Sequence, residues 1–203
     1  KKIVVGPKAK GCIDLDKSVE ENILSVAKAL GKKTTQMTIM TQDRERHDYI
    51  IEPARKLGCQ IRMFGDGDIE AGIATCFEET GVDILMGIGG GPEGVITAVA
   101  IKSMGGDMQA QIFPMSEQER NRCHEMGLSD ADINKKLTLE DLAKGDDLFF
   151  AATGITEGNL LKGVINIGDN KAKTESIIMR SKTGTIRFIN AIHNLDKNEI
   201  LVD

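Results

Sequence analysis

Over residues 1 to about 130, short β-rich runs at 3–5, 37–41, 59–64, 84–88 and 108–113 alternate with helical patterns near 18–30, 46–57, 68–79, 93–104 and 117–126. Few folds accept such an alternation. It is the βαβ rhythm of a sheet with helices packed on it. In the first helical stretch Ile23, Val26, Ala27 and Leu30 recur at spacings of three and four, which puts them on one face, and Gly31 follows as a C-cap. After residue 145 the rhythm gives way to strand signals alone, at 148–151, 163–167, 176–180 and 185–189. Consecutive strands with short connections pair antiparallel, and Lys182-Thr183-Gly184 reads as the turn of a hairpin. The expectation is one compact α/β unit over 1–203 with a mixed sheet and antiparallel C-terminal strands.

Composition removes several classes of function. A 40% hydrophobic chain of this length can bury a core. With aromatics at 3% and a formal charge of −5, it offers neither stacking platforms nor a basic face for nucleic acid. Cys12, Cys59, Cys76 and Cys123 are scattered and form no CxxC pair, which reads as reduced thiols rather than a disulfide framework or zinc knuckle. No apolar run approaches the roughly 20 residues that cross a bilayer, so no membrane partner and a cytoplasmic location are expected. The sequence opens on Lys1-Lys2-Ile3-Val4-Val5 without an initiator Met, as a piece of a longer polypeptide would.

Three segments that follow strand candidates carry possible chemistry. The first, "GIGGGPEG" at 87–94, joins a strand to a helix, where free backbone N–H groups and the helix dipole favour an anion. Gly89, Gly91 and Gly94 satisfy G-x-G-x-x-G, yet Glu93 would repel a pyrophosphate, and Asp107, the acidic residue near the right distance, precedes the next strand instead of ending it. A carboxylate in a first helical turn is instead held ionised and ready for a hard divalent cation. The plainer alternative is a first-turn residue that stabilises its helix by roughly 0.3–1 kcal/mol.

The second segment is Asp66-Gly67-Asp68, whose carboxylates can accept hydrogen bonds from sugar hydroxyls, or of which one simply caps a helix. The third is Arg44-Glu45-Arg46-His47-Asp48, in which two planar guanidinium forks suit a phosphate monoester; solvated ion pairs are the alternative. If all three lie at strand ends on one rim of the sheet, they supply a cation for phosphate, carboxylates for hydroxyls and a carboxylate for metal. That combination describes a sugar-phosphate site.

The runs "KIVVGPKAKGCIDL", "RHD" at 46–48, "DGD" at 66–68, "GIGGGPEGV" at 87–95, "ATGIT" at 152–156 and "IIMRSKTGTIR" at 177–187 resemble, in order and spacing, the carboxyl-terminal portion of class II fructose-1,6-bisphosphatases. The resemblance implies the layered α/β sandwich of the lithium-sensitive sugar and inositol phosphatase superfamily. It implies a homo-oligomer, dimer or tetramer, that uses Mg or Mn and hydrolyses the 1-phosphate of fructose 1,6-bisphosphate to fructose 6-phosphate in gluconeogenesis. Carried over by position, Glu93 is a metal ligand and Gly90 a backbone contact to substrate. Asp66 and Asp68 are sugar-hydroxyl partners and Arg44 and Arg46 phosphate partners, with Glu45 and Gly67 counted among the substrate-binding residues.

One departure qualifies this. The family's D-P-x-[DE]-G-T signature, which brings further metal-binding carboxylates, is absent, since no Asp precedes Pro7, Pro53, Pro92 or Pro114. A single acidic ligand does not sustain a catalytic metal site, so this chain alone is expected to be inert and to act within a longer polypeptide. Sedoheptulose 1,7-bisphosphate as substrate, and a non-catalytic sugar-phosphate-binding module, are the alternatives.

Overall fold

The alternation of strand and helix persists in space from β1 (Lys2–Val5) through α1 (Val19–Leu30), β2 (Thr38–Gln42), α2 (Asp48–Lys56), β3 (Gln60–Phe64), α3 (Asp68–Ala74), β4 (Ile84–Gly87) and α4 (Gly91–Met104) to β5 (Asp107–Ala110). The computed structural model describes residues 1–158 and 160–197. The five strands form one sheet in the order β3-β2-β4-β1-β5. In it β3, β2 and β4 are parallel, while β1 runs antiparallel to both β4 and β5.

This sheet is covered on both faces, which is why β1, β4 and the first four residues of β2 are buried without alternation. Ile3, Val5, Ile39 and Ile84 pack against Ile23 and Val26 of α1 and Ile50 of α2. The alternate residues Val4, Met40 and Leu85 pack against Ala71 of α3 and Ala98 and Ile101 of α4. Each fully buried aliphatic side chain of this kind contributes roughly 2 kcal/mol. Helix α1 starts at a capping box, in which Ser18 Oγ accepts the Glu21 N–H at 3.2 Å and the Glu21 carboxylate accepts the Ser18 N–H at 2.9 Å. It stops at Gly31, whose φ of 65° only glycine adopts without strain.

A second sheet is built on β8 (Lys171–Arg180), which pairs antiparallel with β6 (Phe149–Thr153), β7 (Ile165–Gly168) and β9 (Thr185–Asn194). Its Phe150, Ile177 and Met179 close on Ala100 of α4. Helix α4 is therefore apolar on both sides because it lies between two sheets. The layers run α1 and α2, first sheet, α3 and α4, second sheet.

Several boundaries differ from the sequence reading. Helix α3 ends at Ala74 instead of near 79, because the Thr80 hydroxyl donates to the carbonyls of Ala74 and Phe77, both at 2.7 Å, and stops the helix there. Strand β5 ends at Ala110, where pairing passes to Leu137 and Lys1. Strand β8 begins at Lys171, well before 176, since β9 hydrogen-bonds along all ten of its residues, including the polar half. The segment 116–147 carries three short helices, Glu117–Glu125, Asp130–Asn134 and Leu139–Leu142, capped by Ser116, Ser129 and Thr138. The hairpin after β8 turns through Gly184 at φ 59°. All four cysteines are free thiols, and among the described residues no helix is long and apolar enough to cross a membrane.

Candidate functional site

Because β3, β2 and β4 are adjacent and parallel, their carboxyl ends deliver the three chemical segments to one rim. There Arg46, Asp66, Gly67, Asp68, Gly90 and Glu93, with Gln42 and Gly89, line a single cleft of ≈ 380 Å³. Arg44 and Glu45, from the same loop as Arg46, are outside its lining.

The Arg44 guanidinium donates to the carbonyls of Asp43 at 2.7 Å and Gly65 at 3.2 Å and stands 3.8 Å from Asp66. It ties the turn after β3 to the turn after β2. Glu45 opens a 3-10 turn, Glu45–His47. Arg46 differs from its neighbour: its Nη2 donates to Gln42 Oε1 at 3.2 Å and to the Ile88 carbonyl at 3.1 Å, and it has no ion-pair partner among the described residues. His47, a possible base by composition, is fully buried, with both ring nitrogens engaged by Gln42 and Ile88.

The two glycines at 89 and 90 are there for close approach. A Cβ on Gly89 would run into the Asp68 carboxylate, and one on Gly90 into the Glu93 carboxylate. At Gly91 and Gly94 a Cβ would meet nothing within 4 Å, so the dinucleotide spacing has no steric basis here. Asp107, the other half of that rejected motif, opens β5 and accepts the N–H groups of Gly11 and Met108, at 2.9 and 2.8 Å. Gly67, at φ 97°, turns the chain so that Asp66 points into water, its side chain 98% exposed, and Asp68 begins α3.

Asp68 is not a free carboxylate. It pairs with Lys2, whose side chain is only 5% exposed. Lys2 reaches the rim because β1 is antiparallel: its amino end, at the register Lys2↔Gly87, lies beside the carboxyl end of β4. This pairing has no trace in the sequence, since the direction of a strand leaves no local signature.

Glu93 is the carboxylate left over. It is exposed in the first turn of α4, and among the described residues its side chain has no hydrogen bond or ion pair. The N-cap, Gly90, provides no side-chain cap, and Pro92 removes one donor, so no side chain among the described residues caps the helix N-terminus. A hard, unpaired oxygen donor beside a cleft lined by Arg46, Asp66 and Asp68 fits a divalent cation as one of its several ligands. Among the described residues no group of three or more His, Cys, Asp or Glu side chains could hold a metal by itself. Further oxygen donors are needed around any cation that Glu93 holds.

The family model for bacterial fructose-1,6-bisphosphatase, glpX-encoded, matches residues 1–193. The chain is 42% identical over 208 residues to the fructose-1,6-bisphosphatase class 2 of Haemophilus influenzae, a match covering 96% of this chain and 61% of that protein. Against fructose-1,6-bisphosphatase 1 class 2 of Escherichia coli K12 the identity is 40% over 211 residues, covering 98% and 62% respectively. The chain thus spans about three fifths of the length of these relatives.

Proposed function

The chain belongs to the bacterial, glpX-encoded fructose-1,6-bisphosphatase family, and from that premise we propose that it forms the sugar-phosphate-binding part of a metal-dependent phosphatase. The reaction is hydrolysis of the 1-phosphate of fructose 1,6-bisphosphate: water adds to phosphorus, the ester P–O bond breaks, and the sugar oxygen leaves with a proton. The layered α/β arrangement supports the superfamily of lithium-sensitive sugar and inositol phosphatases.

Within the cleft each residue has a physical task. The guanidinium of Arg46, free of ion pairs, takes phosphate oxygens through charge-assisted hydrogen bonds. Asp66, projecting into solvent, accepts from sugar hydroxyls. Asp68 shares the sugar side but keeps Lys2 as its counter-charge, so it serves more to shape the wall than to add net charge. Gly89 and Gly90 let a ligand approach the backbone as closely as the two carboxylates already do. Arg44 acts by tying the turns after β2 and β3 together, and Glu45 lies outside the cleft lining. Glu93 would hold the cation, Mg or Mn. When bound there, such an ion supplies the positive charge and Lewis acidity on which phosphoryl transfer depends. Because further oxygen donors are required, activity belongs to a longer polypeptide that includes this chain.

The single observation that carries this reading is the unpaired Glu93 carboxylate over Gly90, on the same cleft as Arg46 and Asp66. In the complete protein, Glu93→Gln should raise the Mg or Mn concentration for half-maximal phosphate release by about a hundredfold, as expected when a charged ligand is neutralised. An unaltered metal requirement would remove Glu93 from the site.

A further inference from the structure

Arg46 and His47 are consecutive, yet both grip the same two residues, Gln42 at the end of β2 and Ile88 just after β4. His47 Nε2 lies 2.9 Å from the Ile88 amide and Nδ1 lies 2.8 Å from the Gln42 carbonyl. A backbone amide only donates and a carbonyl only accepts, so the ring must be neutral, with its proton on Nδ1. Arg46 completes the circuit, donating from Nη2 to the Gln42 side-chain oxygen at 3.2 Å and to the Ile88 carbonyl at 3.1 Å. The result is a closed ring, His47 to Gln42 to Arg46 to Ile88 and back to His47. Half of it, the imidazole, is fully buried; the other half, the guanidinium, faces the cleft.

We infer that His47 is a positioning residue for Arg46, an assignment that rests on the sugar-phosphate reading of the cleft. A free arginine side chain samples many rotamers and loses that freedom on gripping an anion. Here His47 holds the backbone of both residues that accept from Arg46 Nη2, Ile88 through its amide and Gln42 through its carbonyl, while the Gln42 side chain is oriented by its own Nε2 donating to the Gly65 carbonyl at 2.9 Å. The other guanidinium donors make no hydrogen bond among the described residues and remain for phosphate oxygens. His47 also fixes the peptide that leads into Gly89 and Gly90, so one buried imidazole aligns the phosphate-binding cation with the glycine turn. The histidine therefore acts on the ligand through its neighbours and touches no reacting atom.

The test is a mutant series in the complete protein, with fructose 1,6-bisphosphate as the probe and phosphate release as the readout. His47→Phe keeps the ring's bulk and loses both bonds; it should raise KM by about tenfold with a smaller change in kcat, the size expected when hydrogen bonds that orient a charged group are lost. His47→Gln, whose amide oxygen can still accept the Ile88 N–H, should recover most of that loss. In an Arg46→Met background, His47→Phe should raise KM far less than in the parent, because the main group it positions is gone. A folded His47→Phe protein with the parent KM, or losses that multiply in the double mutant, would overturn the assignment. If the unmutated complete protein releases no phosphate from this sugar, the substrate reading fails, and the ring is still judged by nitrogen NMR of the imidazole. That spectrum should show the neutral Nδ1–H tautomer, and the Nε2–H tautomer or an imidazolium would sink the inference.

Discussion

The two rims of the first sheet are equally rich in charge and use it in opposite ways. At the rim formed by the amino ends of β2 and β4, a cavity of ≈ 320 Å³ is lined by Lys8, Lys32, Glu78 and Asp83 among others. Each of these charges has a partner: Lys8 with Glu78 at 2.5 Å, and Lys32 with Asp83 at 2.6 Å. Asp83 also accepts the Thr38 N–H at 2.9 Å, locking the start of β2. The same cavity holds Cys76, whose thiol is pushed up to about 12 by burial and so stays protonated and unreactive. At the carboxyl rim Asp68 is paired with Lys2, while Arg46 and Glu93 are left without ionic partners among the described residues. Charge that is already neutralised holds the fold together. Charge left without a partner is what the proposed ligand would meet.

That contrast can be broken from either side. The largest effect should come from the paired rim, where Asp83→Ala strands the Lys32 ammonium and the buried Thr38 amide and should cost about 2 kcal/mol in denaturant unfolding. Sugar-phosphate affinity in the folded mutant should not move; a loss of affinity equal to the loss of stability would show that the two rims are not separable. Next is Gly90→Ala, whose methyl would displace the Glu93 carboxylate. It should raise the metal requirement by about tenfold with little change in unfolding free energy, as for a misaligned ligand. A parent-like metal response would mean that Glu93 does not depend on its glycine cradle. The smallest effect belongs to Asp66→Asn, at an almost fully exposed side chain. Stability should stay within about 0.5 kcal/mol. Affinity for the sugar phosphate should fall by a few-fold relative to inorganic phosphate, as fits one weakened hydrogen bond in contact with water, and an equal fall for both would deny Asp66 a sugar contact.

Much of this arrangement was legible in the residues. The spacing of Ile23, Val26 and Ala27 marked the buried face of α1, Gly31 marked its end, and the three polar segments were assigned to strand ends, where they lie. The grouping of Arg46, Asp66, Asp68 and Glu93 on one cleft follows from that assignment once β2, β3 and β4 are parallel neighbours. The division of labour within the arginine pair was not legible. Arg44 and Arg46 are two residues apart and chemically identical, and only the position of the Gly65 and Ile88 carbonyls decides that one is consumed by the loop and the other faces the cleft. His47 was equally opaque, because both its hydrogen-bond partners are backbone groups and any sequence supplies those.

The sequence by itself determined which faces are buried, where helices begin and stop, and which glycine-rich turn follows which strand, because side-chain periodicity and capping act over a few neighbouring residues. Only the tertiary structure decided that β1 runs against its neighbours, bringing Lys2 to Asp68, and that α4 is enclosed between two sheets. It also decided which charges are neutralised and which stay open. Strand direction and ion pairing arise from hydrogen bonds and contacts between residues far apart in the chain, 66 positions in the case of Lys2 and Asp68, and no local pattern encodes such a distance.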